Sequence, residues 1–185
     1  MEFIPQDIRD VILIKPRVYS DNRGFFLETY RKQHFLERDI RVEFVQDNLS
    51  SSGYGTVRGL HYQIENQQAK LVMVPLGKIL DVAVDLRKGS PTFGQYSSAM
   101  LSEKNKNLLY IPAGFAHGFS VLSERAMVSY KCSDYYNADA ERGLLWNDPA
   151  LGIDWKVSDP ILSEKDQKQP LLNEIPNKDL FEYHP

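Results

Sequence analysis

The sequence predicts an all-β domain, a sandwich or barrel, from three observations: short runs of β-branched and aromatic residues, turn-forming clusters between them, and little helical periodicity. The runs fall at 11–15, 25–30, 42–48, 56–62, 70–74, 78–86, 96–101, 108–111, 118–122 and 126–132. In 78–86, Leu80, Val82, Val84 and Leu86 take one face of a strand, while Asp81, Ala83 and Asp85 take the other. The first face is expected to be core. The second meets water or a polar cavity, and the pattern does not place Asp81 on either. The clusters at 21–24, 50–55, 89–91 and 111–114 hold the Gly, Pro, Asn, Asp and Ser residues that turns require. Helical character is limited to 31–38, with Phe35 and Leu36 among polar residues, and to a polar turn at 102–107. From about Asp154 onward, Asp, Lys, Pro and Ser are abundant, so an irregular C-terminal tail with a short helix begun at Ser163 is expected.

At 185 residues the chain has the size of one ordinary domain, and no linker or repeat divides 1–185. Its net charge of -3, with scattered lysines and arginines, lacks the basic field of a nucleic-acid binder. The expected partner is a small molecule. Cys132 is the only cysteine, so no internal disulfide can form. Residues 1–10 are mixed and polar, unlike a signal peptide, and no apolar run approaches the roughly 20 residues that span a bilayer. A cytoplasmic protein with no membrane partner is expected.

Two histidines, His61 and His117, lie in β-rich text. His61 follows Arg58 and Gly59, and a glycine inside a strand often marks a bulge that re-aims its neighbours. The ordinary reading of His61 is a hydrogen-bonded residue on a sheet surface; the functional one is a general base with a pKa near neutrality. His117 stands in Pro112-Ala113-Gly114-Phe115-Ala116-His117, where a tight turn delivers an imidazole to the start of a strand. That Pro-x-Gly-x-x-His pattern resembles the second motif of the cupin superfamily, which implies a jelly-roll barrel. Metal-binding cupins add a His-x-His and a Glu from an earlier strand. Here that strand reads His61-Tyr62-Gln63, so the second histidine is absent and no metal or other cofactor is expected.

Nine blocks in order carry a closer likeness: Asp21-Asn22-Arg23-Gly24, Gln46-Asp47-Asn48, Arg58-Gly59-Leu60-His61-Tyr62-Gln63, Gln68-Ala69-Lys70, the stretch Asp81 to Arg87, Ser90-Pro91-Thr92-Phe93-Gly94, Phe115-Ala116-His117-Gly118-Phe119, Tyr130-Lys131-Cys132 and Trp146-Asn147-Asp148-Pro149. Together, from about Ile8 to Gln169, they resemble the dTDP-4-dehydrorhamnose 3,5-epimerase family. The resemblance implies a dTDP-linked 4-keto-6-deoxyhexose substrate whose carbons 3 and 5 flank the ketone. Their protons are acidic because the resulting anion delocalises onto the ketone oxygen as an enolate. Inversion then needs a base on one face, a proton donor on the other, a cation at the oxygen and grips on the nucleotide.

By resemblance, His61 is the base, Asp166 the carboxylate that orients it, Lys70 the cation at the C4 oxygen, and Tyr130 the proton donor. Each has an ordinary alternative: Asp166 follows Ser163 at helix-cap spacing, Lys70 could be a surface charge, and Tyr130 shares a strand face with Ala126, Val128 and Cys132. The same resemblance assigns Arg23, Glu28, Gln46, Asp47, Asn48, Arg58, His117, Glu141 and Lys165 to substrate binding. Aromatics such as Phe25, Phe26 and Tyr136 are candidates for stacking on the thymine, and the choice among them stays open. It also implies a homodimer in which an N-terminal strand crosses to the partner. Tyr62 departs from the family's frequent Phe. Arg58 and His61 are three apart and would face opposite ways on an ideal strand. They can share a pocket only if Gly59 bends the strand or Arg58 reaches a neighbouring subunit.

Overall fold

The computed structural model describes residues 1–184, and its strands form two antiparallel sheets laid face to face. One sheet has six strands: β1 (Glu2–Pro5), β2 (Ile12–Lys15), β5 (Gln46–Gly53), β7 (Lys70–Leu76), β11 (Leu108–Ile111) and β13 (Arg125–Cys132), in the order β1-β2-β11-β7-β13-β5. The other has five: β6 (Val57–Gln63), β8 (Lys78–Asp85), β10 (Tyr96–Ser102), β12 (Phe115–Val121) and β14 (Glu141–Gly143), in the order β10-β8-β12-β6-β14. This is the all-β, cupin-type jelly roll that the residues predict. A hairpin of β3 (Val18–Asp21) and β4 (Gly24–Leu27) pairs only with itself, and β9 (Arg87–Lys88) pairs in parallel with β15 (Phe181–Glu182).

Three apolar clusters hold these layers. Between the sheets lie Val72, Val74, Ile79, Ala83, Leu109, Phe119 and Val128, among others. Outside the six-stranded sheet, Phe35 of α1 (Lys32–Leu36) covers Ile14, Leu71, Leu108 and Tyr110. Outside the five-stranded sheet, Leu80, Val82, Val84 and Leu86 pack against Leu144, Leu151, Trp155, Ile175 and Phe181. The apolar face of β8 is thus covered by the C-terminal segment. Its other face, with Asp81 and Asp85, looks into the sandwich, and both carboxylates are completely buried.

Several boundaries differ from the sequence expectation. The triple serine 50–52, read as a turn, continues β5 to Gly53, because alternate residues of that strand face inward and outward along β13. The run expected at 42–48 therefore begins as a strand only at Gln46. The run at 25–30 ends at Leu27, and the sequence pattern does not predict its partner β3, nor β1, β14 and β15, which are two to four residues long. The 102–107 segment is the polar turn expected, closed by Ser102 and Asn105. The tail is irregular as expected, with 3-10 turns at Asp166–Lys168, Leu172–Glu174 and Asn177–Asp179, yet Trp155 and Phe181 within it are buried. No helix among the described residues is long and apolar enough to cross a membrane.

Candidate active site

The polar end of the sandwich is a cavity with two lobes of about 260 and 370 Å3, together in the range of small-molecule sites. His61, Lys70 and Tyr130 line both lobes. Gln46, Asn48, Tyr136 and Glu141 line the first; Arg58, His117, Lys165 and Asp166 line the second. His61 and His117 come from β6 and β12 of one sheet, Lys70 and Tyr130 from β7 and β13 of the other. A flat ring lying between the sheets would meet the imidazoles on one side and the phenol and ammonium on the other.

Gly59 decides which way His61 points. Between His117 and Phe119 the register of β12 against β6 runs from His61 to Arg58, so Gly59 and Leu60 of β6 oppose Gly118 alone. The extra residue is a β-bulge, and it resets the alternation of side chains. Val57, Leu60 and Tyr62 all pack on the outer cluster, while Arg58 and His61 both line the inner cavity. Only glycine fits there: its φ is +111°, and a Cβ would come within 2.6 Å of Gly118 Cα and of the His117 carbonyl oxygen. The bend at Gly59 thus brings Arg58 and His61 together within one chain.

His61 Nε2 lies 2.6 Å from Asp166 Oδ1, which leaves Nδ1 as the ring nitrogen available to a substrate. The His61 side chain keeps about a third of its surface exposed, whereas that of Asp166 is buried. Burial pushes the Asp166 carboxyl up, but the hydrogen bond and charge of His61, with bonds from Ser163 and the Gly59 backbone, bring it net below the usual carboxylate range. The cap reading holds as well, since the Asp166 backbone N–H donates to Ser163 Oγ at 3.1 Å. One residue serves the turn through its backbone and the histidine through its side chain.

His117 forms a second pair, with Nε2 2.7 Å from Asp81 Oδ1. Both partners are buried, and Asp81 Oδ2 has no hydrogen-bond partner. Desolvation drives the His117 pKa down against the pull of Asp81, with Lys70 and His61 adding to the fall. Lys70 is also lowered by burial, partly offset by Cys132, Asp81 and Glu141. Burial raises the Tyr130 phenol, so it holds its proton at neutral pH. The sequence pattern does not single out Asp81 or Ser50, whose buried hydroxyl is unpartnered beside the second lobe; the signal for Asp81 is a carboxylate on the inward face of an otherwise apolar strand, a face that it shares with Asp85.

Three candidates stand apart. Arg23 pairs with Asp21 at the exposed hairpin tip, Glu28 with Arg31 near α1, and Asp47 with Lys131 on the outer side of β5. Strand alternation explains Asp47, whose neighbours Gln46 and Asn48 face inward. Glu141 bonds both Lys165 and the Tyr136 hydroxyl at the mouth. Among the described residues, no three or more His, Cys, Asp or Glu side chains are grouped to hold a metal ion, and each cavity histidine commits Nε2 to a carboxylate. That donor set does not fit a resident metal.

A cupin-type barrel with a histidine–carboxylate pair facing a phenol and an ammonium defines a class of proton-transfer sites. A family model described as dTDP-4-dehydrorhamnose 3,5-epimerase matches residues 5–174, and the chain belongs to that family. It is 56% identical over 163 residues to the enzyme of that name from Pseudomonas aeruginosa, covering 87% of this chain and 90% of the relative. It is 54% identical to the one from Neisseria gonorrhoeae over 90% of this chain, and there it spans about half (51%) of the relative's length. The crystal structure of dTDP-6-deoxy-D-glucose-3,5-epimerase from Legionella pneumophila in complex with dTDP-4-keto-L-rhamnose matches with a TM-score of 0.97 and 46% identity, over 100% of this chain and 99% of that one.

Proposed function

We propose that the chain inverts carbons 3 and 5 of dTDP-4-dehydro-6-deoxy-D-glucose to give dTDP-4-dehydro-L-rhamnose. The observation that carries this reading is the division of labour between the two sheets: base on one wall, proton donor and cation on the other. His61 Nδ1 takes the proton from a carbon beside the ketone. Asp166 holds the ring in place and stabilises the imidazolium that results. The Lys70 ammonium meets the developing enolate oxygen in a desolvated site, where a fixed charge acts more strongly than in water. Tyr130 then supplies a proton to the opposite face of the carbon, and the same cycle serves the second carbon.

Arg58 and Lys165 suit a diphosphate, Arg58 through its planar fork. Gln46, Asn48, His117 and Glu141 complete the grips, and Tyr136 offers a largely exposed ring at the mouth for the thymine. Arg23, Glu28 and Asp47 fit this scheme only through a second copy. The hairpin of β3 and β4 carries exposed Val18, Tyr19, Phe25 and Phe26, an apolar surface that supports a homodimer in which it covers the partner's mouth. Such an enzyme acts in the cytoplasm on a soluble nucleotide-sugar.

Incubation with the 4-keto nucleotide-sugar in deuterated water tests the reading directly. Deuterium is expected at C3 and C5 with inversion at both carbons, and Tyr130→Phe is expected to keep the exchange but lose inversion. No exchange in the wild-type protein would sink the proposal, and exchange at one carbon alone would make it a single-carbon epimerase.

A further inference from the structure

The loop 133–140 joins β13 to β14 and brings Tyr136 to the cavity mouth. Nothing apolar anchors its tip, where Tyr135 and Tyr136 are more than half exposed. Instead, side-chain amides grip four successive residues by their backbone. Gln68 Nε2 donates to the Asp134 carbonyl at 2.9 Å, and Gln63 Nε2 to the Tyr135 carbonyl at 3.2 Å. The Tyr136 N–H donates to Gln46 Oε1 at 2.9 Å, and the Asn137 N–H to Gln63 Oε1 at 3.0 Å.

Gln63 is the centre of this arrangement. It is 5% exposed and uses its full donor set, since Nε2 also donates to the Asn66 carbonyl at 2.8 Å. It lies two residues beyond His61 on β6, on the same inward face of the strand. The strand that carries the base therefore also carries the peg for the loop. Tyr136 is then fixed at both ends, by its backbone on Gln46 and by its hydroxyl on Glu141 at 2.8 Å, with a ring face left free.

We propose that Gln63 is a positioning residue: its carboxamide locks the backbone on both sides of Tyr136 and so holds that ring as a rigid platform for the nucleoside base. This rests on the nucleotide-sugar reading above. A preformed platform lowers the ordering cost of binding, so Gln63 acts on affinity and leaves the proton transfers at His61 and Tyr130 largely alone.

The test is calorimetric binding of dTDP, with kcat and KM, for wild type, Gln63→Leu, Gln63→Glu, Tyr136→Ala and the Gln63→Leu/Tyr136→Ala double variant. Losing one base–aromatic stack in Tyr136→Ala should weaken dTDP about tenfold. Gln63→Leu should weaken dTDP and raise KM by a similar factor, with kcat within about threefold, and the double variant should be little worse than either single one because both act through the same ring. Gln63→Glu keeps the acceptor for Asn137 but sets a buried carboxylate against the Tyr135 and Asn66 carbonyls, so it should weaken dTDP at least as much as Gln63→Leu; Gln63→Met, close to Gln in volume, carries the comparison if Gln63→Leu does not fold. Wild-type affinity in the Gln63 variants, additive losses in the double variant, or a fall in kcat at constant KM would overturn the proposal. Failure of the wild-type protein to bind dTDP would instead overturn the nucleotide-sugar reading itself.

Discussion

His61 and His117 are direct partners across neighbouring strands, and each bonds an aspartate through Nε2, yet the two pairs live in different surroundings. The first histidine is partly open and its aspartate is braced by Ser163; the second pair is sealed, with one carboxylate oxygen unpartnered. Asp85, on the same face of β8 as Asp81, is different again: Arg87, Ser90 and Thr92 all bond it. Identical side chains thus take different duties by access. A histidine that exchanges protons with a substrate must reach it and regain its starting state from water. A buried one, with its cationic form disfavoured, is suited to holding a hydrogen-bonding pattern fixed.

The sharpest way to break this contrast is His61→Ala. Exchange at both carbons should disappear, a loss of at least about 10²-fold if the imidazole is the general base. Exchange that survived His61→Ala but not His117→Ala would reverse the assignment. The aspartates should separate next. Asp166→Asn keeps the shape but removes the charge that stabilises the imidazolium, so kcat should fall about 10²-fold. Asp81→Asn still accepts from His117, and kcat should stay within about tenfold; Asp81→Ala leaves a buried donor unpaired and should cost about 1–3 kcal/mol in denaturant unfolding. Equal rate losses in the two Asn variants would end the distinction.

The smallest effect is in the pH dependence of stability. Folding lowers the pKa of His117, so the unfolded chain binds more protons below its ordinary value of about 6.5. Its contribution is complete above that pH and is lost as the pH falls towards the depressed folded value. Asp166 has the same sign in a lower window, with its contribution present above about 3.9 and lost as the pH falls through the depressed folded value. Unfolding free energies measured between about pH 7 and 5 should decline for wild type and decline less for His117→Asn. A slope unchanged by that substitution would remove His117 as its source.

The strands of the sandwich could be read from the sequence because their apolar residues alternate strongly, as in 78–86, and because Gly and Pro mark their ends. Short strands such as β14 and β15 could not, since two or three residues hold no period and their pairing is decided by distant partners. His61 could be singled out by its place beside Gly59, but its orientation depends on a bulge that pairs β6 with β12, a long-range fact. Asp166 illustrates the same limit. Ser163 and Asp166 are spaced as a cap, and only the folded chain brings that carboxylate to a strand 105 residues away. Arg23 and Glu28 remain outside the cavity because a single chain does not carry the hairpin to it.

The bulge at Gly59 makes the site depend on how β6 is paired as well as on its composition. Pairing the same residues without the bulge would keep every functional group in the chain and rotate everything before Gly59 by one step of the pleat. Arg58 would then turn away from the cavity and Val57 toward it, placing a guanidinium against Trp155 and Leu144 in the outer apolar layer. Pairing in this strand is therefore a form of information that no inventory of side chains records: the same letters, laid down without the bulge, would describe a different interior.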